Sequence, residues 1–256
     1  FGGGKPVSKA PFRRIPFEEA MLKYGTDKPD LRNPLEIVDL TDYFRDVEFK
    51  PFQGRPVRGI VAPGCGKQSK SFFEKMLQYA MSIGMKGLGY LTVLEDGSFK
   101  GPIAKFLSDE KKAALTEMLS LKTDDTLFFI CDSIKVVNLL AGQIRTALGE
   151  RMNLIDKDRF EMCFITDFPM YEKNEEGKLD LTHNPFSMPQ GEMDALENQD
   201  PLTIKAYQYD IVCNGVELSS GAVRNHRPDI MIKAFELAGY TADEVEKRFG
   251  ALFRAF

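Results

Sequence analysis

Hydrophobic and polar positions alternate with different periods along this chain, and the period assigns most of the elements. Phe72, Phe73, Met76, Leu77 and Ala80 recur at helical spacing and predict an amphipathic helix over Ser71–Ile83. Val136, Val137, Leu140, Ile144, Ala147 and Leu148 line one side of a longer helix, which Ser133 is expected to cap and which ends near Met152. Short apolar runs predict strands at Val47–Phe52, Val57–Val61, Leu88–Leu94 and Leu127–Cys131, with a turn at Asp96-Gly97. Ser108 reads as the N-cap of a helix over 109–119.

Punctuation marks the flanks. A short helix is expected over Pro16–Tyr24, with Pro at its start, Glu18 and Glu19 in its first turn and Gly25 after it. The stretch "GTDKPDLRNP" (25–34) is turn chemistry and reads as a linker. Beyond it, from about Leu35 to Met152, short strands alternate with helices, an α+β module with its own core. Further on come a strand at Phe160–Phe168, a hairpin in "MYEKNEEGKLDL" with a polar tip at Glu175–Gly177, and a turn-rich stretch over 182–201 that reads as a lid, a binding loop or a disordered segment. A helix over Pro228–Gly239 follows. Thr241 and Glu244 form a capping box for a last helix running to the end of the sequence.

Composition narrows the class. With 43% hydrophobic and 28% charged residues the chain can bury a core, so it reads as globular. Its net charge of −4 gives no overall reason to expect nucleic acid; a local basic patch is still compatible with RNA. Cys65, Cys131, Cys163 and Cys213 are far apart and form no C-x-x-C pair, which argues against zinc and a disulfide framework and suits a reducing cytoplasm. No apolar run is long enough to span a bilayer, and no signal peptide is expected. The sequence opens at Phe1 without Met and stops at Phe256 inside the last predicted helix, so a fragment is expected.

Candidate chemistry concentrates in "QYDIVCNGVELSSGAVRNH" (208–226). Asn214-Gly215 predicts a type I′ hairpin, because both residues tolerate positive φ. A two-residue turn pairs Cys213 with Val216, Val212 with Glu217 and Asp210 with Ser219. Alternation then puts Asp210 and Glu217 on one face as diagonal neighbours, and leaves Ile211, Cys213, Val216 and Leu218 as the core-like face. Two readings of the carboxylate pair stand side by side: a solvated sheet face, or a Mg²⁺ site built from hard oxygen ligands. Arg224 has the wrong parity for that face. A bulge in Ser219-Ser220-Gly221 would bring it over, where its guanidinium could fork a carboxylate or phosphate. His183, in the long loop, is either a surface residue or a ligand-contacting one; His226 reads as structural. Lys67–Lys75 is a solvated basic face or an RNA or protein contact. The 35–152 module otherwise shows no motif that points to chemistry.

Several longer stretches carry a family likeness: "EEAMLKYGTDKPDLRNP", "GPIAKFL", "DFPMYE", "LTHNPFSMP" and "YDIVCNGVELSSGAVRNH". Through them nearly the whole chain resembles the bacterial-type aspartyl-tRNA synthetases, which are class II aminoacyl-tRNA synthetases. The resemblance implies an α+β fold, with a class II antiparallel-sheet catalytic domain (1–34 and 154–256) interrupted by an α+β insertion (GAD) domain over 35–153. It implies ATP and Mg²⁺ at Asp210 and Glu217, with Ser219, Ser220 and Gly221 beside the adenylate. It implies L-aspartate held by His183 and Arg224. The implied reaction joins aspartate to ATP, giving aspartyl-adenylate, and passes the aspartyl group to tRNA, in a homodimeric cytoplasmic parent that uses neither membrane nor DNA. Two departures are mild: Asn184 where many relatives have a second histidine, and Ser219-Ser220-Gly221 where many have three glycines. The same resemblance implies that the anticodon-binding barrel, the motif 1 dimer helix, the motif 2 arginine and the loop for the aspartate amino group lie outside this sequence, with the motif 3 arginine expected just after Phe256. The chain is therefore expected to be an internal fragment with half an active site and no adenylate formation of its own. A binding module, in which the insertion domain contacts tRNA or protein, is the alternative.

Overall fold

The computed structural model describes residues 3–253, with the side chains of 252 and 253 left aside. The last predicted helix is therefore seen only to Phe253, and its expected continuation over 254–256 lies outside the described residues. In chain order come β1 (Arg13–Pro16), α1 (Phe17–Tyr24), β2 (Ile37–Asp39), α2 (Thr41–Phe44), β3 (Val57–Ala62), α3 (Lys70–Ser82), β4 (Gly89–Val93) and β5 (Phe99–Lys100). Next are α4 (Asp109–Leu119), β6 (Thr126–Cys131), α5 (Val137–Arg151), β7 (Met162–Pro169), β8 (Tyr171–Lys173) and β9 (Leu179–Leu181). The chain continues through α6 (Glu192–Asn198), β10 (Lys205–Cys213), β11 (Val216–Ala222), α7 (Pro228–Leu237) and α8 (Ala242–Phe253).

These elements form two compact units. One takes Glu19–Phe160 with the described residues before Val7; the other takes Val7–Glu18 and the described residues from Glu161 onward. α1 passes from one to the other.

The first unit is built on a five-stranded sheet in the order β2-β3-β6-β4-β5, antiparallel throughout. Its central strand β6 explains why the sequence run "TLFFIC" lacks alternation: both faces are covered. Phe128 and Ile130 enter one core with Met76 of α3 and Ile144 of α5, while Leu127 and Phe129 enter another with Phe44, Phe52 and Leu115. Each such buried side chain contributes about 1.5–3 kcal/mol of transfer free energy.

Three sequence expectations fail here for identifiable reasons. Val47–Phe52 is not a strand: Lys50–Phe52 is a 3₁₀ turn with Pro51 at its start, and Val47 and Phe52 are buried by the turn. Ser133 does not cap α5. Its carbonyl instead accepts from Val136 and Val137 N–H in a preceding turn, and the helix starts at Val137 with no side-chain cap. The stretch 25–34 is not a free linker. Arg145 of α5, only 2% exposed, donates to the carbonyls of Leu35, Asn33 (2.7 Å) and Asp30 (3.1 Å), and its guanidinium lies 4.9 Å over the Tyr24 ring. Gly25 has φ +70° and sits against α5 so closely that a Cβ would stand 2.2 Å from the Asn138 carbonyl oxygen. Burial pushes the Arg145 guanidinium down to about 10, still charged at neutral pH, so those carbonyls are what compensate it.

The second unit holds a four-stranded sheet in the order β1-β7-β10-β11. It is mixed rather than purely antiparallel: β1 runs parallel to β7, and the other pairs are antiparallel. β8 and β9 form the small hairpin expected from the sequence. Ala206 of β10 packs in one core with Leu196 of α6, Ile230 of α7 and the connecting residues Met170, Met188 and Ile204. Tyr171 is buried there, its hydroxyl donating to the Ala234 carbonyl at 2.8 Å. The capping box is present: Thr241 N–H donates to Glu244 Oε2 (2.8 Å), and Glu244 N–H donates to Thr241 Oγ1 (3.3 Å). Residues 182–201 are more ordered than their composition suggests. They contain α6, and their backbone bridges β10 and the end of β11 at Pro189–Ala206 and Ser187–Arg224.

Candidate functional site

The candidate site is built on the β10–β11 hairpin. Asn214 and Gly215 have φ of +52° and +83°, the positive pair that a type I′ turn needs. Cys213 pairs with Val216 and Val212 with Glu217, as the turn dictates. Then the ladder shifts: Ile211 pairs with Ser219 and Asp210 with Ser220. The sequence-based pairing of Asp210 with Ser219 is therefore wrong by one residue. The cause is Leu218, which stands as an extra residue in β11, a bulge placed just before Ser219-Ser220-Gly221 rather than within it.

That one residue rearranges the site. Asp210, Glu217 and Ser220 lie on one face by pairing and alternation, whereas Ser219 and Gly221 turn to the other. The count also continues favourably past β11: Ala222 and Arg224 fall on the Asp210 face, so Arg224 gains the parity that it lacked in a regular ladder. The Ser187–Arg224 bridge and the bond from Val223 N–H to the Tyr207 carbonyl (2.8 Å) keep the backbone extended to that point.

The second correction concerns which face is covered. Ile211, Cys213, Val216 and Leu218 were expected to face the core. Instead Val216 and Leu218 are 59% and 57% exposed, while Asp210 is only 4% exposed and its neighbour Val212 is fully buried. Across the ladder Asp210 meets Ile165, itself buried, and the next strand places Ile15 on the same face. Alternation separates two faces but does not say which one the fold covers. Glu217 is exposed near the hairpin tip.

His183 has φ +53° and is exposed, with its ring edge-on to Phe168 (4.9 Å) and Phe17 (5.3 Å). The loop after it is laced to the hairpin. Asn184 N–H donates to Gln208 Oε1 (3.2 Å), Asn225 N–H to the Phe186 carbonyl (2.8 Å) and Met188 N–H to the Val223 carbonyl (2.8 Å). The Arg224 guanidinium stands 5.7 Å from the centre of the Phe186 ring. Phe186 was not among the candidates; an aromatic three residues beyond His183 was the only hint. Ser187 Oγ and Asn225 Nδ2, both buried beside Arg224 in sequence or ladder, have no hydrogen bond among the described residues. His226 is exposed, its Nδ1 3.3 Å from the Arg224 carbonyl.

The structure thus brings Asp210, Glu217, Ser220 and Arg224 onto one face and sets Ser219 and Gly221 on the other. A cavity of about 620 Å³ in this unit lies among Arg14, Phe164, Thr166, Tyr207 and Tyr209, and none of the predicted site residues lines it. Among the described residues no cluster of three or more His, Cys, Asp or Glu side chains could hold a metal. Carboxylates are the hard oxygen donors that Mg²⁺ takes, and Asp210 and Glu217 share a face, with Asp210 only 4% exposed and Glu217 exposed. Among those residues, too, no helix is long and apolar enough to cross a membrane, and all four cysteines are free.

The α+β architecture, with its mixed sheet, agrees with what comparison with known proteins finds. The family described as "tRNA synthetases class II (D, K and N)" matches residues 5–256, and the chain belongs to that family. Among its relatives, the aspartate–tRNA ligase of Streptomyces coelicolor is 56% identical over 257 residues, covering 100% of this chain. Two relatives named aspartate–tRNA(Asp/Asn) ligase are similarly close: that of Acidiphilium cryptum at 55% over 100% of the chain, and that of Rickettsia bellii at 53% over 98%. The chain spans 44% of the length of each of these relatives.

Proposed function

We propose that this chain supplies part of the aspartate- and ATP-binding site of an aspartate–tRNA ligase, and that the activity belongs to a polypeptide of its relatives' length. The single observation that carries the reading is the bulge at Leu218, which gives Asp210, Glu217 and Arg224 one common face. In the proposed reaction the α-carboxylate of L-aspartate attacks the α-phosphorus of ATP. Pyrophosphate leaves, and the aspartyl-adenylate then passes its acyl group to the 3′ end of tRNA with release of AMP.

Each residue has a task in this reading. Arg224 forks the side-chain carboxylate of aspartate, with its guanidinium set by the Phe186 ring. His183, held edge-on by Phe17 and Phe168, lies against the amino acid. Asp210 and Glu217 would hold a Mg²⁺ ion on the ATP phosphates, where the ion neutralises phosphate charge. Ser220 lies beside them on the same face, while Ser219 and Gly221 contribute backbone beside the adenylate. Ser187 Oγ and Asn225 Nδ2 are polar groups near Arg224 whose desolvation a polar substrate would offset. The chemistry is positioning and charge neutralisation and needs no protein nucleophile. A homodimer acting on tRNA in the cytoplasm, away from DNA and membranes, belongs to the same reading. So do a catalytic assignment for 1–34 and 154–256 and an insertion-domain assignment for 35–153, bounds that differ from those of the compact units, which place 19–34 and 154–160 with 35–153.

Aspartate-dependent ATP–pyrophosphate exchange tests it, measured on the polypeptide at its relatives' full length. Glu217→Gln and Asp210→Asn are expected to lower exchange by about 100-fold or more. Arg224→Lys is expected to raise KM for aspartate with KM for ATP little changed. An unchanged aspartate KM in Arg224→Lys would defeat the assignment. This chain alone is expected to give no exchange.

A further inference from the structure

The first unit carries a cavity of about 680 Å³, although its sequence showed no chemistry. The volume falls within the range of about 300–1,000 Å³ common for small-molecule sites. Its floor is apolar and aromatic: Phe52, Phe129 and Ile103 are buried, and Phe49 is half-buried at the side. Its rim is cationic, with the exposed Lys50, Arg55 and Lys86 against a single acid, Asp132. Among the described residues neither Lys50 nor Lys86 forms an ion pair, so their charge is uncommitted. Gly87 also lines the cavity, and an added Cβ there would meet nothing within 4 Å.

We infer that this cavity binds an aromatic anion of mononucleotide size, with its ring on the phenylalanine floor and its phosphate among Lys50, Arg55 and Lys86. Neither half of the cavity explains the other alone. An aromatic floor would take any apolar group, and surface lysines would take any anion. Together, at this volume, they select a flat apolar body joined to a negative group. A free nucleotide and an unpaired nucleotide of RNA share that chemistry. The site is separate from the β10–β11 hairpin, so it stands or falls independently of the synthetase reading.

Cys131 provides a position-specific reporter, since it lines the cavity and is half-buried with a free thiol. The whole chain is alkylated with iodoacetamide at pH 8.5, and the rate at each cysteine is followed by mass spectrometry. AMP at millimolar concentration is expected to slow Cys131 several-fold and to leave Cys213, which lies outside the cavity, unchanged. Adenosine and inorganic phosphate, each alone, are expected to protect weakly. A short single-stranded RNA protecting at lower concentration than AMP identifies RNA as the source; protection by AMP only identifies the free nucleotide. Lys50→Glu and Lys86→Glu are surface changes that leave the floor intact, and each is expected to remove most of the protection. Absence of protection by both AMP and RNA, or protection unaltered in both lysine variants, overturns the inference.

Discussion

Tyr209 lies across the ladder from Gly221, and its ring covers the glycine so closely that a Cβ there would stand 2.6 Å from the ring carbons. The bareness of Gly221 is therefore already used by a tyrosine of the same sheet. This separates two readings that sequence leaves merged, a glycine kept for ligand approach and a glycine kept for packing.

Gly221→Ala is expected to destabilise the chain by about 1–3 kcal/mol, because the added methyl must displace either the ring or the edge strand. Tyr209→Ala in the same chain removes the obstacle. The double variant should then be more stable than the sum of the two single effects predicts, a coupling that urea unfolding of all four forms would measure. Strict additivity would show that the close approach has no energetic consequence.

Arg145 is the corresponding feature of the first unit. Replacing it with Met keeps the bulk but leaves the carbonyls of Leu35, Asn33 and Asp30 without their donor. A loss of about 2–4 kcal/mol is expected, with Arg145→Lys falling between, since one ammonium cannot reach three carbonyls set for a planar fork. Chemical denaturation at neutral pH checks both. Because the segment it holds contains Gly25–Pro34, limited proteolysis of Arg145→Met should open that stretch first.

Much of the architecture was legible because local rules decided it. The Thr241–Glu244 capping box, the Asn214-Gly215 turn and the unalternating β6 each rest on residues adjacent in sequence. What escaped was set at a distance. Arg145 reaches Leu35 across 110 positions, and no periodicity in 25–34 could announce it. β1 and β2, of four and three residues, are too short to show a period and exist through pairing with β7 and β3. α6 is hidden among turn formers. In the candidate site the identities of Asp210, Glu217 and Arg224 were plain, but their common face depended on the position of one bulge, and the buried side of the hairpin depended on what packs against it.

Asp30 makes unit stability depend on pH. Burial raises its carboxyl pKa, but the hydrogen bonds from Arg32 and the charges of Arg32 and Arg145 outweigh this and hold it below the ordinary value. A carboxyl lowered in the folded state stabilises fully above its unfolded pKa of about 4, and that contribution is lost as pH falls through the folded value. Asp30→Asn should therefore lower the urea midpoint at pH 6 and differ less from the parent chain at pH 3. An equal deficit at both pH values would assign the loss to packing instead.

The bulge at Leu218 offers a test in which two small changes have opposite outcomes. Deleting Leu218 removes the extra residue, so Glu217 still faces Val212, Ser219 still faces Ile211, and Ser220 still faces Asp210. The ladder becomes regular and Arg224 stays on the Asp210 face. Inserting one alanine between Ser219 and Ser220 shifts every later residue by one position, which turns Arg224 to the opposite face. It also pulls Val223 and Asn225 out of register with Tyr207 and Phe186. In the polypeptide of the relatives' length, the deletion is expected to keep aspartate-dependent exchange within about tenfold, a local packing effect of roughly 1.4 kcal/mol. The insertion is expected to lower exchange by at least about 100-fold. Thermal unfolding of both variants shows whether the loss comes from the site or from the fold. If the deletion is as damaging as the insertion, parity is not what the bulge provides, and Leu218 itself must matter at the exposed face where its side chain stands.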